Sequence, residues 1–494
     1  MPACLPLRTQ TSVGSQQASD PITNVLRISL RNRDAVEPTC QKAMPANMSR
    51  GTRLKTAVIG TGISGMSAAW LLCQRHDVTV YERANRLGGH SNTVEARISD
   101  RRVPVDTGFI VYNPLNYPNI TALFAFLGVP TKPSDMSFAA SLDDGRLEYA
   151  GTDLAGLFAQ KRNLLRPRFW AMLHDLRRFY RDAPHAAAAL TDPRITLGDY
   201  LKSEEYGEAF CNDHLLPMAA AIWSAPAKAI LDYPFAAFVN FHANHGLLRF
   251  SNRPEWRTVH GGSRVYIGRL TAQYADRIRL NAEVTAIHRN PCGVRIRDTA
   301  GTEQDFDNVV IATHAHQALA MLADATEQER KLLGAFRYSR NVAVLHSDMS
   351  LMPKRPKVWA SWNFIGNGDF ERNTCVTYWM NRLQSIAEDT NLFVTLNPVR
   401  PPKAETLLHT EVYEHPLFDA PAIRAQSQLW SLQGCGNTWF CGSYFGAGFH
   451  EDGLQSGLAV AEALGQVRRP WRVENESGRI HIAKRSPLSV PEAA

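Results

Sequence analysis

Residues 55–65 read KTAVIGTGISG, an apolar strand pattern that runs directly into three glycines spaced as G-x-G-x-x-G. Gly60 turns the chain sharply, Gly62 lets backbone amides approach a pyrophosphate, and Gly65 lets the following helix lie close on the strand. The helix that opens near Ile63 points unpaired N–H groups and the positive end of its dipole at that anion. The stretch therefore predicts the start of a dinucleotide-binding unit.

The next strand supports this interpretation. Residues 78–82 read VTVYE, and Glu82 stands seventeen residues after Gly65. A carboxylate at the end of this strand can accept hydrogen bonds from an adenosine ribose. The alternative is a structural glycine turn without a nucleotide. The order of strand, helix and acidic residue argues against it.

Composition sets broad limits. The chain has 494 residues, of which 44% are hydrophobic and 20% charged, and its net charge is +7. These values are typical of a globular protein of two or three domains, and the modest charge suits an anionic cofactor or a membrane surface better than nucleic acid. Eight scattered cysteines without a C-x-x-C pair favour a reducing compartment and indicate no zinc site.

Both ends of the chain differ from the middle. Residues 1–52 lack periodicity and are rich in Ser, Thr, Gln, Pro and Arg. We expect a disordered extension or an upstream start with Met48 as the natural beginning, and a transit peptide is the alternative. Residues 467–494 are expected to form a basic tail.

The remaining pattern predicts an α/β protein with a discontinuous Rossmann-type domain. Strand signals and glycine motifs recur in residues 53–112, 250–320 and 430–466, which we assign to that domain. Residues 113–249 are mainly helical, and 321–429 include strand-like runs. These two blocks are expected to form an inserted mixed helical and β substrate domain. Residues 102–112 are expected to form a strand pair.

Two further motifs bear on the cofactor. Gly88-Gly89-His90 follows the second strand, where the glycines can turn beside the cofactor and Arg83 or Arg86 can offset pyrophosphate charge. Residues 442–457 read GSYFGAGFHEDGLQSG, and a helix beginning there would direct its N-terminal amides at an electron-rich acceptor.

With these motifs the chain resembles the FAD-dependent amine oxidase/phytoene desaturase superfamily over residues 53–465. More narrowly, it is similar to the bacterial predicted NAD/FAD-binding oxidoreductases associated with cyclopropane-fatty-acyl synthases. The resemblance rests on the glycine fingerprint, Glu82, residues 88–93 (GGHSNT), residues 106–108 (DTG), residues 361–363 (SWN) and residues 448–457.

The resemblance implies an amine-oxidase-like fold that binds FAD. The residues it assigns to the cofactor belong to the first unit, to the backbone near Val284, to the turn at Ala312-Thr313 and to the terminal motif. They are Gly60, Gly62, Ile63, Ser64, Gly65, Glu82, Arg83, Gly88, Gly89, His90, Val284, Ala312, Thr313, Gly442, Ser443, Glu451, Asp452 and Leu454.

Several positions depart from the amine oxidase pattern. His90 replaces an arginine, Ser443 replaces an acidic residue, and Asn341 stands where many members have a lysine near the flavin. Phe449 replaces a tyrosine of the amine-binding aromatic cage. These departures argue against an amine substrate and leave desaturase-like hydride chemistry open.

Two histidines have alternative interpretations. His90 is expected to be a polar turn residue at the cofactor, and covalent flavin attachment or a role as a base are the alternatives. His450 and Glu451 are the candidate catalytic residues, because a carboxylate beside an imidazole can tune proton transfer. The alternative is that Glu451 and Asp452 cap the final helix.

The segment 161–181 interleaves arginines with aromatic and aliphatic residues. It predicts either peripheral contact with an anionic membrane or an ordinary surface helix. The apolar run 215–223 predicts either a wall of a substrate cavity or core packing.

The sequence thus predicts a cytoplasmic FAD-dependent oxidoreductase, with contact at the inner membrane as a further prediction. Hydride would pass from a carbon of a small-molecule or lipid substrate, with a fatty acyl chain preferred, to flavin N5. The alternatives are a flavin amine oxidase and a redox-sensing or non-catalytic flavoprotein that acts through a partner. The oligomeric state is left open.

Overall fold

The structure, a computed structural model, describes residues 53–482 except 99, 193, 224–225, 367–374 and 388. All of these lie in one unit, Met48–Ala494. The extension predicted for residues 1–52 and the end of the predicted tail, 483–494, lie outside the described residues.

The strands and helices follow one another along the whole described chain. The strands are β1 Lys55–Ile59, β2 Asp77–Tyr81, β3 Thr93–Ile98, β4 Arg101–Asp106, β5 Thr131–Ser134, β6 Phe138–Leu142, β7 Leu147–Ala150, β8 Trp256–Val259, β9 Ile278–Arg279, β10 Val284–Asn290, β11 Gly293–Asp298, β12 Glu303–Phe306, β13 Asn308–Ile311, β14 Arg337–His346, β15 Trp362–Gly366, β16 Cys375–Trp379, β17 Phe393–Leu396, β18 Leu407–Leu417 and β19 Thr438–Phe440. The α-helices are α1 Ile63–Leu72, α2 Pro118–Phe126, α3 Leu154–Leu157, α4 Pro167–Ala189, α5 Leu197–Ser203, α6 Glu208–Phe210, α7 Leu216–Trp223, α8 Ala227–Leu231, α9 Phe235–Asn244, α10 Arg264–Thr271, α11 Ala315–Met321, α12 Glu327–Leu333, α13 Met380–Leu383, α14 Ala420–Gln426 and α15 His450–Gly465.

A five-stranded parallel sheet carries the glycine fingerprint. Its strand order is β19-β13-β1-β2-β9, so segments from the start, middle and end of the chain lie side by side. The central strands are apolar because both of their faces are covered, as parallel sheets require. The predicted α/β class with a discontinuous Rossmann-type sheet is confirmed.

A seven-stranded sheet forms the second large element, in the order β18-β14-β17-β16-β15-β6-β7. It is antiparallel except where β15 pairs with β6. The helices α4 to α9 precede most of its strands in the chain and contribute their apolar faces to the same core cluster. This is the inserted helical and β part expected of the fold, while the domain boundaries stay a prediction.

Two local predictions need comment. The prediction of a strand pair in residues 102–112 is wrong for the second strand. The first strand, β4, ends at Asp106 and pairs with β3. Among residues 107–112, Tyr112 alone makes an isolated bridge, to Arg257. The glycine at position 108 explains this, since a Cβ there would lie 2.1 Å from the His90 carbonyl oxygen, so the chain bends around that carbonyl instead of extending.

The first part of the predicted basic tail packs against the parallel sheet's helices. Trp471 stacks on Trp70 of α1 with ring centroids 5.8 Å apart. The Arg469 side chain is fully buried and pairs with Glu462 of α15 at 2.8 Å. Residues up to 482 therefore belong to the folded part of the described chain.

Candidate cofactor and substrate site

Close contacts require two of the three fingerprint glycines. Gly60 has a φ of +98°, and a Cβ on it would lie 2.9 Å from the Ala312 carbonyl oxygen. A Cβ on Gly65 would lie 2.0 Å from the Gly60 carbonyl oxygen. Gly62 differs, because nothing lies within 4 Å of the position of its Cβ. The space beside Gly62 is a cradle that a side chain would fill.

The N-terminus of α1 faces this cradle. Gly62 is its N-cap, so no N-cap side chain accepts a hydrogen bond from the first turn. The free N–H groups and the helix dipole together form an anion-binding end. A pyrophosphate is the group that this end suits.

Glu82 closes the adjacent part of the site. One of its carboxylate oxygens accepts hydrogen bonds from the backbone N–H and the hydroxyl of Thr61, at 3.0 and 2.5 Å. The other accepts from the Ala84 N–H at 2.9 Å. The carboxylate is thus held rigidly at the carboxyl end of β2, where a ribose would reach it.

The second glycine motif turns back against the first. Gly88 and Gly89 have φ values of +107° and +56°, and a Cβ on Gly89 would lie 3.2 Å from the Cα of Gly62. This turn aims the His90 ring at the β18 strand, where its centroid lies 4.9 Å from that of Tyr413 and 5.4 Å from that of His415.

The C-terminal motif crosses α1 at close range. A Cβ on Gly457 would lie 2.2 Å from the Ser64 carbonyl oxygen, and one on Gly453 would lie 2.8 Å from the Ile63 side chain. The two glycines therefore allow α15 to pack backbone to backbone on α1. This contact brings the N-terminus of α15 to the same cavity as the fingerprint.

A cavity of about 780 Å³ runs past all of these motifs. Most of the predicted cofactor residues line it, and the exceptions are Gly65, Glu451, Asp452 and Leu454. The lining residues among them are Gly60, Gly62, Ile63, Ser64, Glu82, Arg83, Gly88, Gly89, His90, Val284, Ala312, Thr313, Gly442 and Ser443, together with the candidate catalytic residue His450.

The four exceptions lie behind the wall. Gly65 packs on Gly60, and Leu454 is fully buried in the α1 and α15 core. The Glu451 carboxylate accepts hydrogen bonds from the N–H groups of Asn119 and Ile120, at 3.1 and 3.0 Å, so it caps α2. Burial raises its pKa, and hydrogen bonds from Gln455 and Asn119 oppose the rise.

Asp452 caps its own helix. It accepts a hydrogen bond from the Phe449 N–H at 2.7 Å and pairs with Arg479 at 2.6 Å. Both carboxylates therefore cap helices. Asp452 caps α15, and Glu451 caps α2, where its partner Asn119 is 332 residues away in sequence. The proposed catalytic role of Glu451 stays a prediction.

His450 lies on the cavity wall in a polar cluster. Its ring stacks on Phe109 with centroids 3.8 Å apart, and Nε2 lies 3.1 Å from the Ser91 hydroxyl and 2.9 Å from the Tyr266 hydroxyl. Burial lowers its pKa to about 3, and the charge on His90 contributes to the shift. His450 is therefore neutral at pH 7.

The β18 strand supplies residues that the sequence did not single out. Tyr413, Glu414 and His415 line the cavity opposite His90, and no motif marks them. Asn341 itself does not line the cavity, but its side-chain amide lies 3.2 Å from Nδ1 of His415. The pairing of β14 with β18 creates this contact, so a search for local motifs could not find it.

The predicted apolar run 215–223 contributes α7 to the far end of the cavity through Met218, Ala221, Ile222 and Trp223. Phe449 also lines it and stacks on Phe241 with centroids 4.8 Å apart. Within the described residues, no group of three or more His, Cys, Asp or Glu side chains is placed to hold a metal ion.

A family model for flavin containing amine oxidoreductases matches residues 63–346. The chain belongs to this family. Membership confirms the predicted cofactor, FAD, and places the chain in a family of flavin-dependent oxidoreductases. The free Gly62 cradle, the uncapped α1 end and the held Glu82 carboxylate fit the pyrophosphate and ribose of that cofactor.

Among curated relatives, flavin-containing monoamine oxidase AofH of Mycobacterium tuberculosis is 28% identical over 275 residues. The match covers 53% of this chain and 57% of that protein, so this chain spans little more than half of the relative's length.

Solved structures share the fold at low sequence identity. Cyclohexylamine oxidase from Brevibacterium oxydans matches with a TM-score of 0.61 at 15% identity, covering 84% of this chain and 99% of that one. Putrescine oxidase bound to putrescine matches at 0.59 and 16%, with coverages of 84% and 99%. A fatty acid isomerase from P. acnes matches at 0.56 and 18%, with coverages of 85% and 99%.

Proposed function

We propose that the protein oxidises a carbon of an apolar chain, preferably a fatty acyl or other lipid chain, by hydride transfer to FAD. The observation that carries this proposal is the chemistry of the cavity beyond the cofactor motifs. That part, here called the apolar chamber, is walled by aliphatic and aromatic side chains, most of them large. They are Met136, Phe138, Met218, Ala221, Ile222, Trp223, Leu247, Trp362, Tyr378 and Leu396.

Charge in and around the chamber favours an uncharged or anionic substrate. The carboxylates among the described lining residues are Glu82, Glu283 and Glu414, and none belongs to the chamber. Arg253 lines the cavity, and its Nε donates a hydrogen bond to the Arg249 carbonyl. Within the described chain its guanidinium has no carboxylate partner. A cation at the wall attracts an acyl carboxylate and repels an ammonium group.

The imidazoles near the chamber are neutral. Nδ1 of His245 donates to the Phe241 carbonyl at 2.8 Å, and Nδ1 of His214 donates to the Tyr149 hydroxyl at 2.9 Å. That hydroxyl can accept because its own proton goes to the Asp213 carbonyl. Burial lowers the pKa of both histidines to about 3, so neither adds charge at pH 7.

FAD, when bound, supplies the hydride acceptor. The protein positions the cofactor and the substrate and provides the surrounding charges and dipoles. Gly62, the α1 terminus and Glu82 would hold its adenosine and pyrophosphate end. The N-terminus of α15 would face its electron-rich end. The walls of the apolar chamber would hold the apolar chain of the substrate and exclude water from its reacting carbon.

Oxidation of an amine is the second candidate. It is supported by the names of the 28% identical relative and of two of the structural neighbours, which are amine oxidases. The aromatic pair of Phe241 and Phe449 would then receive the amine. Arg253 and the absence of a chamber carboxylate among the described residues argue for the lipid chain.

A redox-sensing or non-catalytic flavoprotein that acts through a partner is the third candidate.

We propose that the protein lies in the cytoplasm, with peripheral contact at the inner membrane through the 161–181 segment. None of the described helices is both long enough and apolar enough to cross a bilayer.

An absorption spectrum followed by anaerobic titration separates these candidates. The purified protein is expected to carry FAD and to be bleached by fatty acyl chains and not by primary or secondary amines. Bleaching by amines alone, with release of hydrogen peroxide in air, would favour the second candidate. Resistance of bound FAD to lipid, amine and nicotinamide donors would favour the third.

A further inference from the structure

An exposed apolar surface lies where α3 leads towards α4. Four large side chains form it and are here called the 154–170 surface: Leu154 is 74% exposed, Leu164 48%, Leu165 87% and Trp170 49%. Apolar side chains exposed together in this way mark interaction sites more often than scattered ones do.

Contacts between neighbours hold these side chains in one place. The Trp170 indole N–H donates to the Leu164 carbonyl at 2.9 Å. The Phe158 ring lies 5.7 Å from the Trp170 ring, and the Phe158 N–H donates to the Leu154 carbonyl at 3.0 Å. Because the indole N–H already has a partner, the ring can enter an apolar medium without leaving a donor unpaired.

Cations without acidic partners border this surface. Within the described chain, Arg162 and Arg166 form no ion pair, and both donate to the Arg146 carbonyl. Lys161 beside them is exposed. Burial lowers the pKa of Arg166, and the charges of Arg162, Arg146 and Arg355 lower it further. Such crowding of like charge is relieved by an anionic partner.

Most of the rest of the basic segment is paired with carboxylates. Arg168 pairs with Asp213 at 2.7 Å, Arg178 with Asp175 at 3.4 Å and Arg181 with Asp182 at 2.6 Å. Arg177 is the exception, an exposed arginine without an ion pair among the described residues. The cluster of unpaired charge therefore lies at residues 161–166, beside the exposed leucines.

Gly151 links this part of the chain to the cavity. It lines the cavity and is exposed, and it stands three residues before Leu154. Beneath the 154–170 surface, the buried Phe169 ring lies 5.9 Å from Phe158 and 5.7 Å from Tyr149 between ring centroids. A layer of aromatic side chains thus supports this surface from below.

We propose that the 154–170 surface docks the protein on an anionic phospholipid membrane, with the three cations at the headgroups and the leucines and Trp170 in the acyl boundary. The choice of a membrane over a protein partner rests on charge complementarity and on an indole that is already hydrogen-bonded. A corollary, which rests on the proposed function, is that an apolar chain enters the cavity from the membrane beside Gly151.

Vesicle flotation tests the docking. The full chain with its FAD is expected to float with vesicles containing phosphatidylglycerol and to remain unbound with pure phosphatidylcholine. L154S/L165S is expected to reduce the partition coefficient about tenfold or more, because two apolar side chains no longer enter the boundary. The matched control L115S/L280S removes two other exposed leucines, 69% and 41% exposed, and should bind like the wild type.

A charge variant tests the contribution of the cations to membrane binding. K161Q/R162Q is expected to weaken binding about fivefold for each charge removed, and raised salt should do the same to the wild type. The control K331Q/R424Q removes two exposed cations from α12 and α14 and should leave binding unchanged. FAD content and thermal melting serve to show that every variant folds.

Three results would overturn the proposal: no flotation of the wild type with phosphatidylglycerol, equal loss in the control pairs, or a change of oligomeric state in L154S/L165S without a change in vesicle binding. The last would assign the surface to a second copy. Vesicle binding does not require turnover, so the two proposals can fail separately. If the protein binds vesicles but acyl chains do not bleach its flavin, the proposed function is refuted and the docking proposal stands.

Discussion

The side-chain amide of Asn341 donates a hydrogen bond to Nδ1 of His415 across 3.2 Å, between neighbouring strands of the seven-stranded sheet. Hydrogen bonds to the backbone determine which way the side-chain amide of Asn341 is oriented. Asn397 accepts from the Val342 N–H at 2.9 Å, so its NH₂ group donates to the Asn341 oxygen at 2.8 Å. The Asn341 nitrogen then faces the Ser339 carbonyl and His415.

His415 consequently carries its proton on Nε2. Its Nδ1 accepts from an amide, and burial lowers its pKa to about 3, with the charge on His90 contributing. His415 lines the cavity, so a neutral N–H donor belongs to the wall. We therefore expect Asn341 to act as a positioning residue for this donor.

Loss of this contact should slow reduction of the cofactor. Asn341→Leu frees His415 to adopt the other tautomer, and we expect the rate of flavin reduction by a bleaching substrate to fall about tenfold, the equivalent of one hydrogen bond. FAD content should not change. Ser339→Ala is the control, because it removes another partner of Asn341 and a hydrogen bond to the His415 carbonyl but keeps the contact between Asn341 and the His415 ring. Equal rates in N341L and wild type would refute the positioning role.

Two glycine variants should separate cofactor binding from folding. A methyl group on Gly62 meets nothing within 4 Å, and its φ of −62° is open to alanine. Gly62→Ala should therefore keep the melting temperature of the FAD-free protein and weaken FAD binding at least tenfold, measured by fluorescence titration. Gly65→Ala puts Cβ 2.0 Å from a carbonyl oxygen and should lower stability. Unchanged FAD affinity in G62A would show that the cradle is not the pyrophosphate site.

Arg253 should discriminate between head groups. If the substrate is a fatty acid, Arg253→Gln should raise KM about tenfold for the acid and leave KM for its methyl ester unchanged, because only the acid carries a charge. Arg249→Gln, which removes a neighbouring exposed cation, is the control. An equal rise for acid and ester would mean that Arg253 acts through packing.

Glu451 is expected to act on stability. Its oxygens accept from Asn119, Ile120 and Gln455, so Glu451→Gln turns an NH₂ group towards at least one N–H. We expect the free energy of unfolding in urea to fall by about 1–3 kcal/mol while the rate of flavin reduction stays within a factor of about three. A large loss of rate at full stability would support the catalytic hypothesis instead.

Acid should destabilise the fold through its buried histidines. His214 and His245 are 7% and 4% exposed, and burial lowers the pKa of each to about 3. The unfolded chain takes up protons below about pH 6.5 while the folded protein does not, so the stability present above that pH is lost as pH falls towards 3.

A single substitution tests this linkage. His245→Gln should make the decline of unfolding free energy between pH 6.5 and 4 shallower by about 1 kcal/mol per pH unit. His185→Gln, at an exposed site on α4, should leave the slope unchanged. An identical slope in H245Q and wild type would contradict the assignment.

Local chemistry in the sequence determined the fold class, the cofactor and much of its binding wall. The glycine spacings require particular backbone conformations, apolar runs require buried parallel strands, and both signals lie within short stretches around Gly60, Gly88 and Gly453. Of the eighteen cofactor residues that the family resemblance assigns, fourteen lie on the cavity wall.

Only the tertiary structure decided which residues distant in sequence meet in and behind the cavity wall. The Asn341–His415 hydrogen bond spans 74 residues, and the Glu451–Asn119 contact spans 332. Contacts of this kind depend on strand pairing and helix crossing, and they leave no periodicity or motif in the chain. The position of the 154–170 surface beside the cavity depends on the same long-range packing, whereas the glycine fingerprint could be interpreted before any contact was known.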